Sequence, residues 1–183
     1  MDAALSFTAL PNLHPALVHF PVALLLTALG FDVACLAFRR HRWFDWAALS
    51  LYLLGTVSAG ATYLSGRQAA NSIRGLSGPV ETAVWDHGDS ALLMLAAFIV
   101  VGGIRLTASW RERTAPRVRL TPLRVFGLAA ALVAQGLLFW TADQGGALVY
   151  RHGVAVSRPV PDAPLTTATT MSQAAVPPEI PSR

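Results

Sequence analysis

Imidazole side chains are the groups in this chain best suited to chemistry. The sequence contains five histidines, which are His14, His19, His41, His87 and His152. His41 stands among arginines and is expected to belong to a charged flank. The other four border apolar stretches, where ionisable groups are costly and tend to be functional. Because neutral imidazole ligates iron, copper and zinc, these four are the candidate cofactor-binding residues.

The spacing of the histidines favours ligands on separate helices. His14 and His19 are five residues apart, which is about 140° around an α-helix, so they do not share a face as an i, i+4 metal pair would. His19 and His87 could face each other across a bundle, which is how helical bundles hold haem iron. His19 and His87 are therefore the predicted metal ligands, with His14 and His152 as further ligands or cofactor contacts.

Three neighbouring side chains are expected to support these ligands. Asp86 and Asp89 flank His87, and a carboxylate beside an imidazole fixes its tautomer and raises its basicity. Tyr150 precedes His152 and is assigned to the same surroundings.

Four apolar stretches must position these residues. Hydrophobic residues make up 54% of the 183 residues, charged residues only 13%, and the mean hydropathy is +0.48. Soluble domains carry roughly 25% charged residues, so lipid is the expected solvent. A membrane helix needs about 20 mostly apolar residues. Four stretches of that length run from about Pro15 to Phe38, Phe44 to Ser65, His87 to Thr107 and Leu123 to Ala142.

Polar and helix-breaking residues inside these stretches predict particular contacts. Pro21 should kink the first span and free the carbonyl of Leu17, which then needs a hydrogen-bond donor. Gln135 lies in the middle of the fourth span and is expected to bond to another helix. Asp32 and Arg105 fall near the ends of their spans and could reach headgroups or each other.

The arginines predict the orientation of the spans. The chain has no lysine, and arginines crowd the links between spans one and two and between spans three and four. The positive-inside rule places both links in the cytoplasm. Both termini and the four candidate histidines then lie on the outer, periplasmic side of a bacterial inner membrane. The predicted fold is an all-α, up-down, four-helix membrane bundle.

The ends of the chain are expected to differ from the bundle. Residues 1–13 are predicted to form an external N-terminal segment and residues 14–156 the membrane domain. Residues 157–183 are rich in Pro, Ala and Thr and have few large apolar side chains, so they are predicted to be a disordered tail. Small residues in the spans favour close helix packing and are equally compatible with a homo-oligomer.

Several classes of function lack their motifs. There is no phosphate-binding loop, HExxH, CxxC or Ser–His–Asp order, and Cys35 is the only cysteine. A sequence pI near 10.2 could suggest nucleic acid, but the arginines separate apolar spans instead of forming one basic face. A hydrolase, a nucleotide-driven protein and a nucleic-acid binder are therefore not expected.

Two motifs resemble a known family. Residues 14–24 read HPALVHFPVAL, and residues 145–154 read GGALVYRHGV. The chain from about Leu13 to Val156 resembles a family of bacterial four-helix membrane proteins of unknown function, which opens with HPxxVHFPxAL. Some members of that family are fused to Rieske iron–sulfur or cytochrome c domains. The resemblance therefore implies electron-transfer partners and a b-type haem.

Three functions follow as hypotheses. The first is a membrane redox subunit that binds haem b through outer-face histidines and passes electrons between a membrane partner and an external acceptor. The second is a copper- or zinc-binding membrane protein. The third is a cofactor-free structural or assembly subunit of a respiratory complex. An electron-transfer or accessory role is favoured over catalysis.

Overall fold

The computed structural model describes residues 13–72 and 77–154, and the described chain is helical. The helices are α1 (His14–Leu17), α2 (His19–Ala37), α3 (Trp43–Ser72), α4 (Gly78–Arg111) and α5 (Pro122–Tyr150). The predicted tail, 157–183, and nearly all of the predicted N-terminal segment lie outside the described residues.

Within the described chain, four helical stretches are long and apolar enough to cross a membrane. They are His14–Ala37, Trp43–Ser72, Gly78–Arg111 and Pro122–Tyr150. The predicted four-span, all-α fold is therefore confirmed. The helices are longer than the predicted apolar stretches. Hydropathy identifies only the residues that lie in the hydrocarbon layer, and polar turns of the same helix continue beyond them. As a consequence, His87 lies well inside α4 and does not open it, which corrects the predicted boundary.

The first span is interrupted about one turn before Pro21, which has no N–H to donate to the carbonyl of Leu17. A turn at Val18 separates α1 from α2, three residues before Pro21. The hydroxyl of Thr62 on α3 donates to the carbonyl oxygen of Leu17 at 3.2 Å. The expectation that this carbonyl needs a donor is thus confirmed, and the bond attaches the interrupted segment to α3.

The helices form a bundle in which α2 packs on α3, α3 on α4, and α4 on α5, with a smaller contact between α2 and α5. The amide of Gln135 on α5 donates to the carbonyl oxygen of Leu25 on α2 at 2.7 Å, which confirms its predicted interhelical role. The buried apolar core comprises Leu25, Ala28, Ala48, Tyr52, Ala59, Met94, Phe98, Val101, Ala131, Ala134 and Leu138. Large apolar side chains such as Val57, Phe126 and Val133 point outward, as lipid contact requires.

The up-down order defines two ends of the bundle. The histidine end contains α1, the C-terminal ends of α3 and α5, and the N-terminal end of α4. The arginine end contains the C-terminal ends of α2 and α4 and the N-terminal ends of α3 and α5. The two ends carry different polar groups, and each is described below.

Gly55 provides a test of the helix packing between α2 and α3. A Cβ atom at this position would lie 2.6 Å from Cδ2 of Leu25, which is fully buried. We expect Gly55→Ala to lower the free energy of unfolding by about 1–3 kcal/mol, because overpacking forces a core side chain or a helix to move. Thermal unfolding in detergent measures the change. Gly60→Ala, on the same helix with nothing within 4 Å of the added Cβ, is the control and should leave stability equal or slightly higher.

Candidate metal site at the histidine end

Two of the predicted histidines line one cavity at the histidine end. The cavity has a volume of about 150 Å³ and is bounded by α1, α3, α4 and α5. Its wall includes His14, Pro15, Tyr63, Gly66, Arg67, Ala69, Ala70, Val84, Trp85, His87, Gly88, Asp89, Ala91, Gly145, Leu148, Val149 and Val154. His14 and His87 are both half-buried, and they come from two different helices, α1 and α4. The fold therefore places two imidazoles at one internal surface.

His14 is held by the C-terminal part of α3. Its Nδ1 lies 3.0 Å from the carbonyl oxygen of Thr62 and 3.1 Å from Oγ of Ser65. Because a carbonyl only accepts, the bond to Thr62 places the ring proton on Nδ1 and leaves the lone pair on Nε2. A hydrogen bond of this kind from the other ring nitrogen is the usual companion of a metal-binding imidazole.

His87 is held between α4 and α5. Its Nδ1 is buried without a hydrogen-bond partner in the described chain, and the backbone of Thr141 on α5 lies nearby. The hydroxyl of Thr141 is also buried without a partner in the described chain. One turn along α4, the hydroxyl of Ser90 lies 2.6 Å from Oε1 of Gln144 and ties the two helices together. His87 thus lies between α4 and α5 among polar groups, and some of these groups have no hydrogen-bond partner in the described chain.

Both imidazoles rest against glycines of neighbouring helices. A Cβ on Gly66 would lie 2.8 Å from Cε1 of His14, and a Cβ on Gly145 would lie 3.1 Å from Cε1 of His87. Any larger residue at Gly66 would force the His14 ring to move, and one at Gly145 would press on the His87 ring. The two glycines therefore create the space that the rings occupy.

Basic and aromatic side chains form the rim of the cavity. The guanidinium carbon of Arg67 on α3 lies 5.7 Å from the ring centroid of Trp85 on α4, which is a cation–π contact across the two helices. Asp89 also lines the cavity, so it is the one predicted supporting carboxylate that the fold places there.

The remaining predicted site residues lie elsewhere. His19 is exposed on α2 and does not line the cavity, so the fold does not bring His19 and His87 together there. His152 and Asp86 are exposed outside the same cavity, and Asp86 lies beside Asp89 and Gln144 in a separate surface depression. Tyr150 is 91% exposed. The ligand roles proposed for these residues remain untested predictions.

The number and type of side chains that could coordinate an ion decide which metals this site can hold. Among residues 13–72 and 77–154, no group of three or more His, Cys, Asp or Glu side chains is arranged to hold a metal ion. The described site therefore offers an imidazole pair. Imidazole is a ligand for copper, zinc, iron and nickel, and structural zinc sites take four protein ligands.

A second polar cluster, at the arginine end, lies inside the bundle. Asp45 on α3 is fully buried and accepts hydrogen bonds from three side chains. The partners are Arg124 at 2.7 and 3.0 Å, Arg105 at 3.1 Å and Ser109 at 3.1 Å. Arg105 is 1% exposed, so its predicted contact with headgroups is wrong. The alternative is confirmed, because Arg105 lies 2.9 Å from Asp32 on α2.

This cluster neutralises its own charge and joins all four spans. Glu112, at the end of α4, pairs with Arg124 on α5 at 3.1 Å. Three carboxylates thereby meet three guanidinium groups, since Arg42 also lies 3.7 Å from Asp45. Sequence reasoning missed Asp45, Glu112 and the burial of Arg124. The signal that could have found them is a carboxylate in the first turn of an apolar helix, Asp45, whose charge needs a partner.

Comparison with known proteins identifies a family but no activity. A family model described as "Predicted membrane protein (DUF2231)" matches residues 10–158. No curated protein matches the chain. No solved structure matches it either.

Proposed function

Since the chain belongs to the DUF2231 family of predicted membrane proteins, we propose that it is a membrane protein that binds one copper ion between His14 and His87. The observation that carries the proposal is that imidazoles from two separate helices line one cavity. The hydrogen bond from Nδ1 of His14 to Thr62 supports it further, because such a bond orients a metal-binding imidazole.

Haem b fits this cavity poorly. Small-molecule sites in proteins typically enclose about 300–1,000 Å³, and this cavity encloses about 150 Å³. A porphyrin would have to push apart helices whose glycines already contact the imidazoles. A single ion needs no such separation, so the site favours copper over haem.

The cellular setting of the proposed site follows from the arginines. The positive-inside rule puts the arginine end in the cytoplasm and the histidine end on the periplasmic side of a bacterial inner membrane. A copper ion held there would be accessible to an external redox partner, such as a respiratory protein. Electron transfer or copper delivery to that partner is the proposed role, and a homo-oligomer is compatible with it.

Copper titration of the full chain tests this proposal. The protein purified in mild detergent would be titrated with Cu(I) under anaerobic conditions against a chromogenic chelator, and metal content would be measured by mass spectrometry. We expect one copper per chain in the wild type and none retained against the chelator in His14→Ala or His87→Ala. The physical reason is that losing one of two imidazoles removes half of the coordination.

His19→Ala is the matched control, because it removes an exposed histidine from the same end of the bundle. It should bind copper as the wild type does. Equal loss in all three variants would refute the assigned pair. A Soret band together with stoichiometric iron would show that the bound cofactor is haem and not copper. A colourless, metal-free protein that co-purifies with a respiratory complex would favour the cofactor-free assembly role.

A further inference from the structure

A basic pocket lies where two interhelical links meet at the arginine end. It has a volume of about 460 Å³, and it is lined by Ala37, Phe38, Arg39, Arg40, His41, Arg117 and Val118. The first five residues belong to the α2 end and the α2–α3 link, and the other two belong to the α4–α5 link. This pocket is at the opposite end of the bundle from the histidine cavity.

Hydrogen bonds hold the two links together. The backbone N–H of Val118 donates to the carbonyl oxygen of Arg39 at 2.9 Å, and the Val118 side chain is buried. The guanidinium of Arg42 donates to the carbonyl oxygen of Ala115 at 3.0 Å and also to that of Glu112. The α4–α5 link, which carries Arg117, is therefore held against the α2–α3 link, which carries Arg39 and Arg40.

The cations of this pocket are not neutralised by carboxylates of the described residues. Arg105 and Arg124 pair with Asp32, Asp45 and Glu112 inside the bundle. In the described part of the chain, Arg39, Arg40 and Arg117 form no ion pair. The described carboxylates at this end therefore pair with arginines inside the bundle. The guanidinium groups of Arg39, Arg40 and Arg117 remain without such a partner around one cavity. The planar fork of arginine matches the geometry of a phosphate group.

Aromatic side chains place the pocket at the membrane surface. Phe38 lines it and is 52% exposed, and its ring stacks on Phe44 with centroids 5.4 Å apart. Trp43 also stacks on Phe44, with ring centroids 4.0 Å apart, and is exposed. Exposed aromatic rings at the end of membrane helices favour the headgroup level of the bilayer. A ligand in the pocket would therefore have phosphate next to the arginines and acyl chains beside these rings.

We propose that Arg39, Arg40 and Arg117 bind the phosphate headgroup of an anionic phospholipid. Basic pockets between membrane helices are known sites for anionic headgroups, because arginines near the surface attract the negative charge of these lipids. The proposal is independent of the copper site.

Native mass spectrometry of the full chain tests the lipid site. Detergent-solubilised protein would be titrated separately with cardiolipin, phosphatidylglycerol and phosphatidylcholine. We expect the wild type to retain the two anionic lipids over phosphatidylcholine. The triple variant Arg39→Gln, Arg40→Gln, Arg117→Gln should lose that preference by about tenfold or more.

The control removes the same charge from the same end. Arg111, Arg113 and Arg119 have exposed side chains outside the pocket, and Arg113 stacks on Trp110 at 4.7 Å. Their triple Gln variant should keep the wild-type lipid preference. An equal loss in both triple variants would overturn the proposal, since it would reveal only a general charge effect. Equally tight retention of inorganic phosphate would overturn it as well, because the site would then serve a soluble anion.

Discussion

Replacing Asp45 by asparagine is expected to lower the free energy of unfolding by about 3–5 kcal/mol. Asp45 is fully buried and is the acceptor shared by Arg105 and Arg124. The asparagine keeps the side-chain size but leaves both guanidinium groups without their common anion. Removing one partner of a buried ion pair is costly because the remaining charge stays in a medium of low dielectric constant.

A graded set of variants separates loss of charge from loss of shape. Ser109→Ala deletes one neutral donor to the same carboxylate, so it should cost only about 1 kcal/mol. Asp143→Asn changes an exposed aspartate on α5 and should have no measurable effect. Stability would be measured by SDS titration or heating in detergent with tryptophan fluorescence.

A double-mutant cycle tests the proposed coupling directly. The variant carrying Asp45→Asn and Arg124→Gln should be more stable than the sum of the two single losses predicts, because one change removes the charge that the other leaves unpaired. Additive losses would show that Asp45 and Arg124 do not stabilise each other. An Asp45→Asn protein as stable as Asp143→Asn would contradict the role of the cluster altogether.

This cluster shows why the buried ion pairs of Asp45 and Arg124 could not be predicted from the sequence. The spans were predictable because lipid demands about 20 apolar residues from each helix. Asp45 and Arg124 are 79 residues apart and share no local pattern, so only the bundle brings them into contact. Counting arginines for topology treated Arg124 as a cytoplasmic flank, whereas its charge is largely neutralised inside the protein.

The histidine end shows a different limit. The sequence placed histidines near the ends of spans, and the structure brings His14 and His87 to one cavity. The sequence alone could not decide which of His14 and His19 faces inward, because the turn at Val18 separates their two helices. The predicted separation of about 140° between His14 and His19 assumed one continuous helix. The break leaves the carbonyl oxygen of Leu17 without a helical donor, and the hydroxyl that satisfies it belongs to Thr62 on another helix, which is a tertiary contact.

Gly66→Ala is expected to weaken copper binding by about 10–100-fold while the bundle stays folded. The added methyl group would lie 2.8 Å from Cε1 and 3.2 Å from Nδ1 of His14, closer than real contacts allow. The imidazole therefore has to shift, which disturbs its hydrogen bond to the carbonyl oxygen of Thr62. Disturbing a hydrogen bond that orients a metal ligand typically costs this range of affinity.

Gly146→Ala is the matched control for this substitution. Gly146 lies on α5 at the same end of the bundle, and nothing lies within 4 Å of a Cβ built there. Competitive Cu(I) titration and thermal unfolding would be measured on both variants. We expect Gly146→Ala to bind copper as the wild type does, and both proteins to unfold within a few degrees of it.

The two measurements together distinguish the ways in which the idea can fail. If Gly66→Ala unfolds much earlier than Gly146→Ala, the glycine serves helix packing and its effect on copper is indirect. If Gly66→Ala is stable and binds copper with unchanged affinity, the orientation of His14 does not control the site. If copper is absent from the wild type too, the imidazole pair has another role, while the steric conflict at Gly66 would still displace the His14 ring. That displacement is observable as a changed imidazole resonance in the NMR spectrum of the metal-free protein.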